Sequence, residues 1–192
     1  MIRKMILPVL KYGHPMLRQK GVRIESITPQ IKQLIGDMFE TMHAAKGVGL
    51  AAQQVGHALQ FTVIDVRGVT DRPSTLQLGG KPASVADVMP LVLINPQFKP
   101  CGEPVAGPEG SLSFPEMYAD ITRPESIEVT ASNEHGQRLE FRCGGLLARV
   151  VQHEYDHLQG ILFIDRMTKE DKTELKPQLE ELQARTRAEL KK

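Results

Sequence analysis

The sequence predicts one globular domain that mixes helices with short β-rich runs, and three observations carry this. The chain has 192 residues, 41% hydrophobic and 24% charged, the size and composition of a single ordinary domain. An early stretch repeats its apolar residues with helical spacing. Short β-rich runs parted by turn-forming residues follow it. This composition excludes a wholly disordered, collagenous or coiled-coil protein. Lys plus Arg number 24 against 23 Asp plus Glu, a net of +1, so no global field attracts nucleic acid or an anionic membrane, and no sequence-specific nucleic-acid contact is expected.

The N-terminal stretch, MIRKMILPVLKYGHP, is too short and too interrupted by Pro8, Lys11 and His14 for a signal peptide. No apolar run reaches the roughly 18 residues of a membrane span. The two cysteines, Cys101 and Cys143, are too few for a disulfide framework and read as packed free thiols. A cytoplasmic protein is therefore expected.

A helix is predicted from Thr28 to Ala45. Thr28 serves as N-cap, Pro29 occupies a position where a helix tolerates proline, and Ile31, Leu34, Ile35, Met38, Met42 and Ala45 form one apolar stripe. Gly47 and Gly49 end it. Phe61 to Val66 and Leu91 to Ile94 read as strands, the second stopped by Asn95-Pro96. Between them, Arg67 to Pro90 lacks periodicity and reads as a surface excursion. Ser126 to Ser132 and Arg138 to Cys143 flank a turn-like pentapeptide, which predicts a β-hairpin. A second helix, Leu146 to Leu158, is apolar nearly all round, so it is expected to be buried. A last helix, Lys169 to Leu190, carries the narrow stripe Leu175, Leu179, Leu182 and Leu190. Pro177 should kink or restart it. The end of this helix, Arg185 to Lys192, holds four basic residues and one acid, which suits its dipole or an anionic docking partner.

Chemistry concentrates on the buried helix. His153-Glu154-Tyr155-Asp156-His157 has the pattern H-E-x-x-H. Residues four apart stack on one helix face, so His153 and His157 can present two imidazoles to one metal ion. Glu154 sits about 100° round the helix, within reach of a metal-bound water without being a ligand. Two satisfied core histidines are the competing account. It is weakened because two histidines and two acids are unfavourable on an apolar helix unless something pairs with them. The other histidines, His14, His43, His57 and His135, fall in turns or near helix ends and are poor ligand candidates. Gly47-Val48-Gly49-Leu50-Ala51-Ala52-Gln53-Gln54 offers close backbone approach and a glutamine amide for a developing oxyanion. Glu109-Gly110-Ser111-Leu112-Ser113-Phe114-Pro115 reads alone as a surface turn. Glu109 and Arg123 are candidates for an ion pair bracing it, with two solvated charges as the alternative.

Together, G-V-G-L-A-A-Q-Q, E-G-S-L-S-F-P and Q-H-E-Y-D-H-L-Q-G resemble, in order and spacing, the three motifs of the peptide deformylases. The likeness spans most of Met1 to Met167. It implies an α+β fold, with antiparallel β-sheets around a central buried helix carrying H-E-x-x-H, plus a C-terminal helix. Residues 1–167 would be the catalytic domain and 168–192 a charged helix of the same domain. The resemblance further implies metal-dependent removal of the formyl group from N-formylmethionyl nascent peptides, with Fe2+ expected and Zn2+, Ni2+ or Co2+ able to substitute. His153 and His157 would bind the metal. Glu154 would be general base and acid, and the Gln54 side chain and Leu112 N–H would hold the oxyanion. Val48, Gly49 and Gly110 would pair with the substrate backbone, and Val150 would line a slot for the methionine side chain. The C-terminal helix is a candidate contact to the ribosome. One position departs from the family pattern. Ser111 stands where the third metal ligand is a cysteine, and its neutral, hard hydroxyl replaces a soft, anionic thiolate. A zincin-type metallohydrolase and a non-catalytic formyl-peptide binder are the alternative readings.

Overall fold

The computed structural model describes residues 5–192. Residues 1–4, the start of the basic and apolar N-terminal stretch, lie outside them. Helix α1 spans Pro29–Ala44, with the Thr28 hydroxyl capping the Ile31 N–H at 3.3 Å. Strands β1 (Gly49–Ala51) and β2 (Phe61–Ile64) follow, then β3 (Ser74–Leu78) and β4 (Lys81–Ala83). Two long strands, β5 (Leu91–Ser111) and β6 (Phe114–Ser132), form a hairpin, and β7 (Arg138–Gly144) leads into helix α2 (Gly145–Leu158). Helix α3 (Lys169–Glu189) ends the fold. Among the described residues these strands pair in the order β1-β2-β5-β6-β7-β3-β4, antiparallel throughout.

Helix α2 lies inside the curve of this sheet and packs against β1, β2, β3, β6 and β7. Its Leu146, Leu147, Val150 and Val151 share a core with Leu91, Leu93, Ile127, Val129 and Phe141. Side chains alternate across a strand. Phe61, Val63, Val92 and Ile94 therefore point the other way, onto Ile35, Met38 and Met42 of α1. Both faces of β2 and of the start of β5 are buried, which explains their unbroken apolar runs. A third cluster joins Phe114, Ile121, Phe163 and Leu182, and so seats α3 beside the tip of the long hairpin.

Three expectations change. The strand starting at Leu91 does not stop at Asn95-Pro96. A register shift between Ile94 and Gln97 absorbs the proline, Asn95 takes a positive φ of 51°, and pairing continues to Ser111. The Arg67 to Pro90 excursion contains the β3–β4 hairpin, and β3 pairs with β7 and buries Leu76. With one buried residue in β3 and none in β4, no period could show. Helix α3 runs unbroken through Pro177, which is exposed, so water can serve the carbonyl that proline leaves without an N–H. The predicted hairpin of β6 with β7 and the N-cap at Thr28 match the structure. Among the described residues no helix is long and apolar enough to cross a membrane.

The entry into α2 depends on glycine. Gly145 has φ +64°, and a Cβ there would lie 2.2 Å from the Pro73 carbonyl oxygen, the acceptor for the Leu146 N–H. Gly145→Ala should therefore lower stability by about 1–3 kcal/mol, read as a shift in the denaturant midpoint. A midpoint equal to the parent protein's would show that this turn relaxes freely.

Candidate active site

A cavity of about 430 Å³ opens where the tip of the β5–β6 hairpin meets α2 and the segment before β1. Every site residue expected from the sequence lines it except His157. That set comprises Val48, Gly49, Gln54, Gly110, Ser111, Leu112, Val150, His153 and Glu154. His157 is buried one turn further along α2, with its ring centroid 5.0 Å from that of His153. The four-residue spacing thus sets the two imidazoles side by side. His14, His43, His57 and His135 stay outside the cavity lining. His14 caps a short helical turn, and His43 meets Asp65 at 3.3 Å.

One face of α2 grips the long hairpin. Arg149 donates to the carbonyls of Val105 at 2.8 Å and Ile121 at 2.6 Å, and to Glu109 at 3.0 Å. Gln152 donates to the Pro124 carbonyl. His153 Nδ1 meets Glu109 Oε2 at 2.9 Å. Asp156, one turn on, accepts from Arg123 at 2.9 Å. The expected pair forms fully, with Arg123 Nε and Nη2 on Glu109 Oε1 and Oε2 at 2.5 and 2.9 Å. Arg166 closes the network from outside with two hydrogen bonds to Asp156. Spacings of three and four residues put these α2 side chains on one stripe. Of this group the sequence signalled Glu109 and Arg123 as a pair, His153 as a ligand, and Asp156 as an acid on an apolar helix that needs a partner. Nothing in the sequence marked Arg149 or Arg166 as members of the network.

This network sets the local electrostatics. Burial would raise the Glu109 carboxyl, but the hydrogen bonds of Arg123 and His153 outweigh it and hold it at about 2. Burial works against protonating His153. Its bond to Glu109 and the charge of Glu154 prevail and raise it. His157 is pushed well below its ordinary value by burial and then by the charges of His153 and Arg123. It is therefore a neutral imidazole, and both of its nitrogens are buried without a hydrogen-bond partner among the described residues. Burial also pushes Glu154 up to about 7, against the pull of His153 and Thr62. Its carboxylate fits because Gly49 has no side chain: a Cβ there would lie 2.4 Å from Glu154 Oε1.

The other side of the cavity is amide and hydroxyl. Gln54 Oε1 accepts from the Ala51 N–H at 2.9 Å, which turns its NH₂ toward the hairpin tip, 3.1 Å from Ser113 Oγ and 3.4 Å from Ser111 Oγ. Ser111 is the last residue of β5, and its hydroxyl also accepts from the Ser113 N–H at 3.3 Å. The segment from Glu109 to Pro115 is thus the tip of a paired hairpin in a functional cleft, and not a free surface turn. Val150 is 7% exposed and both packs in the core and lines the cavity. Cys143 is buried and its thiol is pushed up to about 12 by burial, while Cys101 is half-buried on β5; neither lines the cavity.

The fit to a metal ion is partial. Two neutralisable imidazoles, one of them orphaned, are what a divalent ion would satisfy. The third motif position supplies only a hydroxyl, and among the described residues no group of three His, Cys, Asp or Glu could hold a metal ion. The histidine pair is suited to the ion, and the site is one anionic donor short.

Comparison with known proteins gives one answer. The family model for polypeptide deformylase matches residues 6–173. A peptide deformylase from Methylacidiphilum infernorum is 46% identical over 178 residues, 93% of each chain. Another from Opitutus terrae is 40% identical, covering 97% of this chain and 98% of its own. The crystal structure of a peptide deformylase from Thermotoga maritima superposes with a TM-score of 0.71 at 35% identity, over 85% of this chain and 98% of that one. With the mixed helix and antiparallel sheet fold and the three motif segments gathered at one cavity, the chain belongs to the polypeptide deformylase family.

Proposed function

We propose that this chain removes the formyl group from N-formylmethionyl nascent peptides with a divalent metal ion held by His153 and His157. The observation that carries this reading is the His157 imidazole, buried with both nitrogens unpartnered, beside His153 and a cavity that contains Glu154. When bound, such an ion supplies Lewis-acid activation of the formyl carbonyl and of the attacking water, with Fe2+ the expected ion and Zn2+, Ni2+ or Co2+ able to take its place. The zincin alternative loses its ground because the upstream segments match one family together with H-E-x-x-H.

The protein's own groups divide the remaining work. Glu154 takes the proton of the attacking water and returns it to the departing amine. Gln54 Nε2, already aimed at the hairpin tip, and the N–H of Leu112 receive the charge that develops on the formyl oxygen. The backbone of Val48, Gly49 and Gly110 pairs with the extended substrate, and Val150 borders the slot for the methionine side chain. His153 is oriented by Glu109, which leaves Nε2 as its ligating nitrogen. Ser111 occupies the third ligand position with a neutral oxygen, so the ion is held with one negative charge fewer than a thiolate would supply.

Residues 1–167 and the helix of 168–192 act as one catalytic domain, supported by Leu182 of α3, buried with Phe114 and Phe163. Free thiols at Cys101 and Cys143 suit the cytoplasm, where formylated chains are made. The basic residues at the end of α3, Arg185, Arg187, Lys191 and Lys192, suit a contact with ribosomal RNA at the exit of those chains.

Two substitutions test this reading. Glu154→Gln should keep the metal, measured by atomic absorption, and lose about 10²–10⁴-fold in turnover, because it removes a proton carrier and not a ligand. Joint loss of metal and turnover would assign Glu154 to the metal instead. Ser111→Cys should bind Zn2+ or Co2+ more tightly by orders of magnitude in a chelator competition, and raise activity most when free metal is scarce. Equal affinities would mean that another group supplies the third ligand.

A further inference from the structure

The N-terminal segment makes a series of contacts that neither the motifs nor the metal site explains. The Met5 N–H donates to Asp37 Oδ1 and the Leu7 N–H to Thr41 Oγ1, both at 2.8 Å, which anchors the segment on α1. It then crosses the cleft wall. The Leu10 N–H donates to the Gln54 carbonyl at 2.8 Å. Lys11 Nζ donates to the Leu112 carbonyl at 2.6 Å, and the Tyr12 N–H donates to the Ser113 carbonyl at 3.0 Å. The Tyr12 ring stacks on Phe114 with centroids 5.0 Å apart. Three consecutive residues thus hold the two places from which the oxyanion donors project. They hold the Gln54 backbone on one side and the two-residue turn of the long hairpin on the other.

Lys11 stands apart in this series because its hydrogen bond is donated by a side chain. It lines the same cavity and is half-buried. The Leu112–Ser113 peptide is held at both ends, its carbonyl by Lys11 and its N–H by Ser111 Oγ. The neighbouring Ser111–Leu112 peptide, which carries the Leu112 N–H, is joined to it through the two dihedrals of Leu112. Holding the first plane restricts the second. Without Lys11 the Leu112–Ser113 peptide loses the donor on its carbonyl and keeps the Ser111 contact on its N–H, while Tyr12 and Gln54 still hold Ser113 beyond it.

We propose that Lys11 is a positioning residue for deformylation, fixing the Leu112–Ser113 peptide so that the Leu112 N–H points at the developing oxyanion. The proposal rests on the assignment of Leu112 and Gln54 as oxyanion donors. Such donors act on charge that exists only in the transition state, so their misalignment lowers kcat and leaves substrate binding little changed.

The test uses metal-loaded protein and a formylmethionyl tripeptide, with Lys11→Met, Lys11→Arg, Lys11→Gln and Gln54→Ala compared to the parent. Lys11→Met, which keeps the stem and deletes the donor, should lower kcat by about 10- to 100-fold with KM within about twofold. Lys11→Arg should recover most of the loss. The Ser113 amide should exchange its hydrogen faster in Lys11→Met than in Lys11→Arg. Full kcat in Lys11→Met while Gln54→Ala is impaired overturns the role of Lys11 alone. So does an equal loss in Lys11→Arg, or a loss confined to KM. Full kcat in Gln54→Ala overturns the oxyanion assignment, and with it this proposal. Should Lys11→Met fold poorly, Lys11→Gln decides, since a folded variant with parental kcat and a shortened donor contradicts the clamp.

Discussion

The site depends on a buried arginine. Arg123 is 4% exposed, and its Nε, Nη1 and Nη2 all end on carboxylate oxygens of Glu109 or Asp156, themselves 6% and 3% exposed. Taking such charges out of water costs several kcal/mol per ion, and the arrangement persists only when every lone pair and proton finds a partner. Here each of the three guanidinium nitrogens of Arg123 and each oxygen of the two carboxylates has a hydrogen-bond partner. Glu109 accepts from Arg123, Arg149 and His153, and Asp156 accepts from Arg123 and Arg166. Loss of Arg123, the buried cation that both acids share, would break the pairs at the centre of the network, which typically costs about 3–5 kcal/mol. The network is therefore rigid, and it joins β5, β6 and α2 at one point. The cavity lies at that point, so the hairpin tip, His153 and Glu154 inherit its rigidity.

This arrangement separates two kinds of charge. Glu109 and Asp156 are both engaged by arginines, and they are not available for chemistry. Glu154 has no such partner. Burial pushes its carboxyl up, against the charge of His153, a 3.5 Å contact from Thr62 and the charge of Arg123. One acid of the His153-Glu154-Tyr155-Asp156-His157 segment is thus structural and the other is free to move a proton. His153 and His157 differ in the same way. Glu109 fixes the first through Nδ1, whereas nothing among the described residues satisfies the second. Ser111 sits within this otherwise complete setting. Its hydroxyl accepts from Gln54 and from the Ser113 N–H, so it serves the turn as a hydrogen-bond acceptor while offering a metal ion a weak, neutral oxygen.

Much of this was legible in the sequence where periodicity or exact spacing carried the signal. The stripe of α1, its Thr28 cap, the apolar α2 and the H-E-x-x-H pair depend on local geometry, and they stand where the sequence placed them. The Glu109–Arg123 pair was readable from an acid in a small-residue turn and an Arg ahead of Pro124. The long strand β5 was not readable, because Pro96, Pro100, Pro104 and Pro108 look like breaks. Register shifts accompany Pro96 and Pro104, while Pro100 and Pro108 sit in regular register opposite Ile127 and Asp120. The β3–β4 hairpin was hidden for another reason, since its stability comes from pairing with β7, far along the chain. The same holds for Lys11, Arg149 and Arg166. A single basic residue has no pattern, and its meaning appears only when the fold brings a carbonyl or a carboxylate to it.

The most direct test of the account is formate release from a formylmethionyl peptide by the unaltered protein, followed as divalent metal is added under anaerobic conditions. The account predicts a saturable rise from almost no turnover to a steady rate, at a metal concentration well above the amount of protein, because two imidazoles and a hydroxyl hold the ion loosely. No formate at any concentration of Fe2+, Ni2+, Co2+ or Zn2+ would contradict it, and would leave the cleft as a binding site without chemistry.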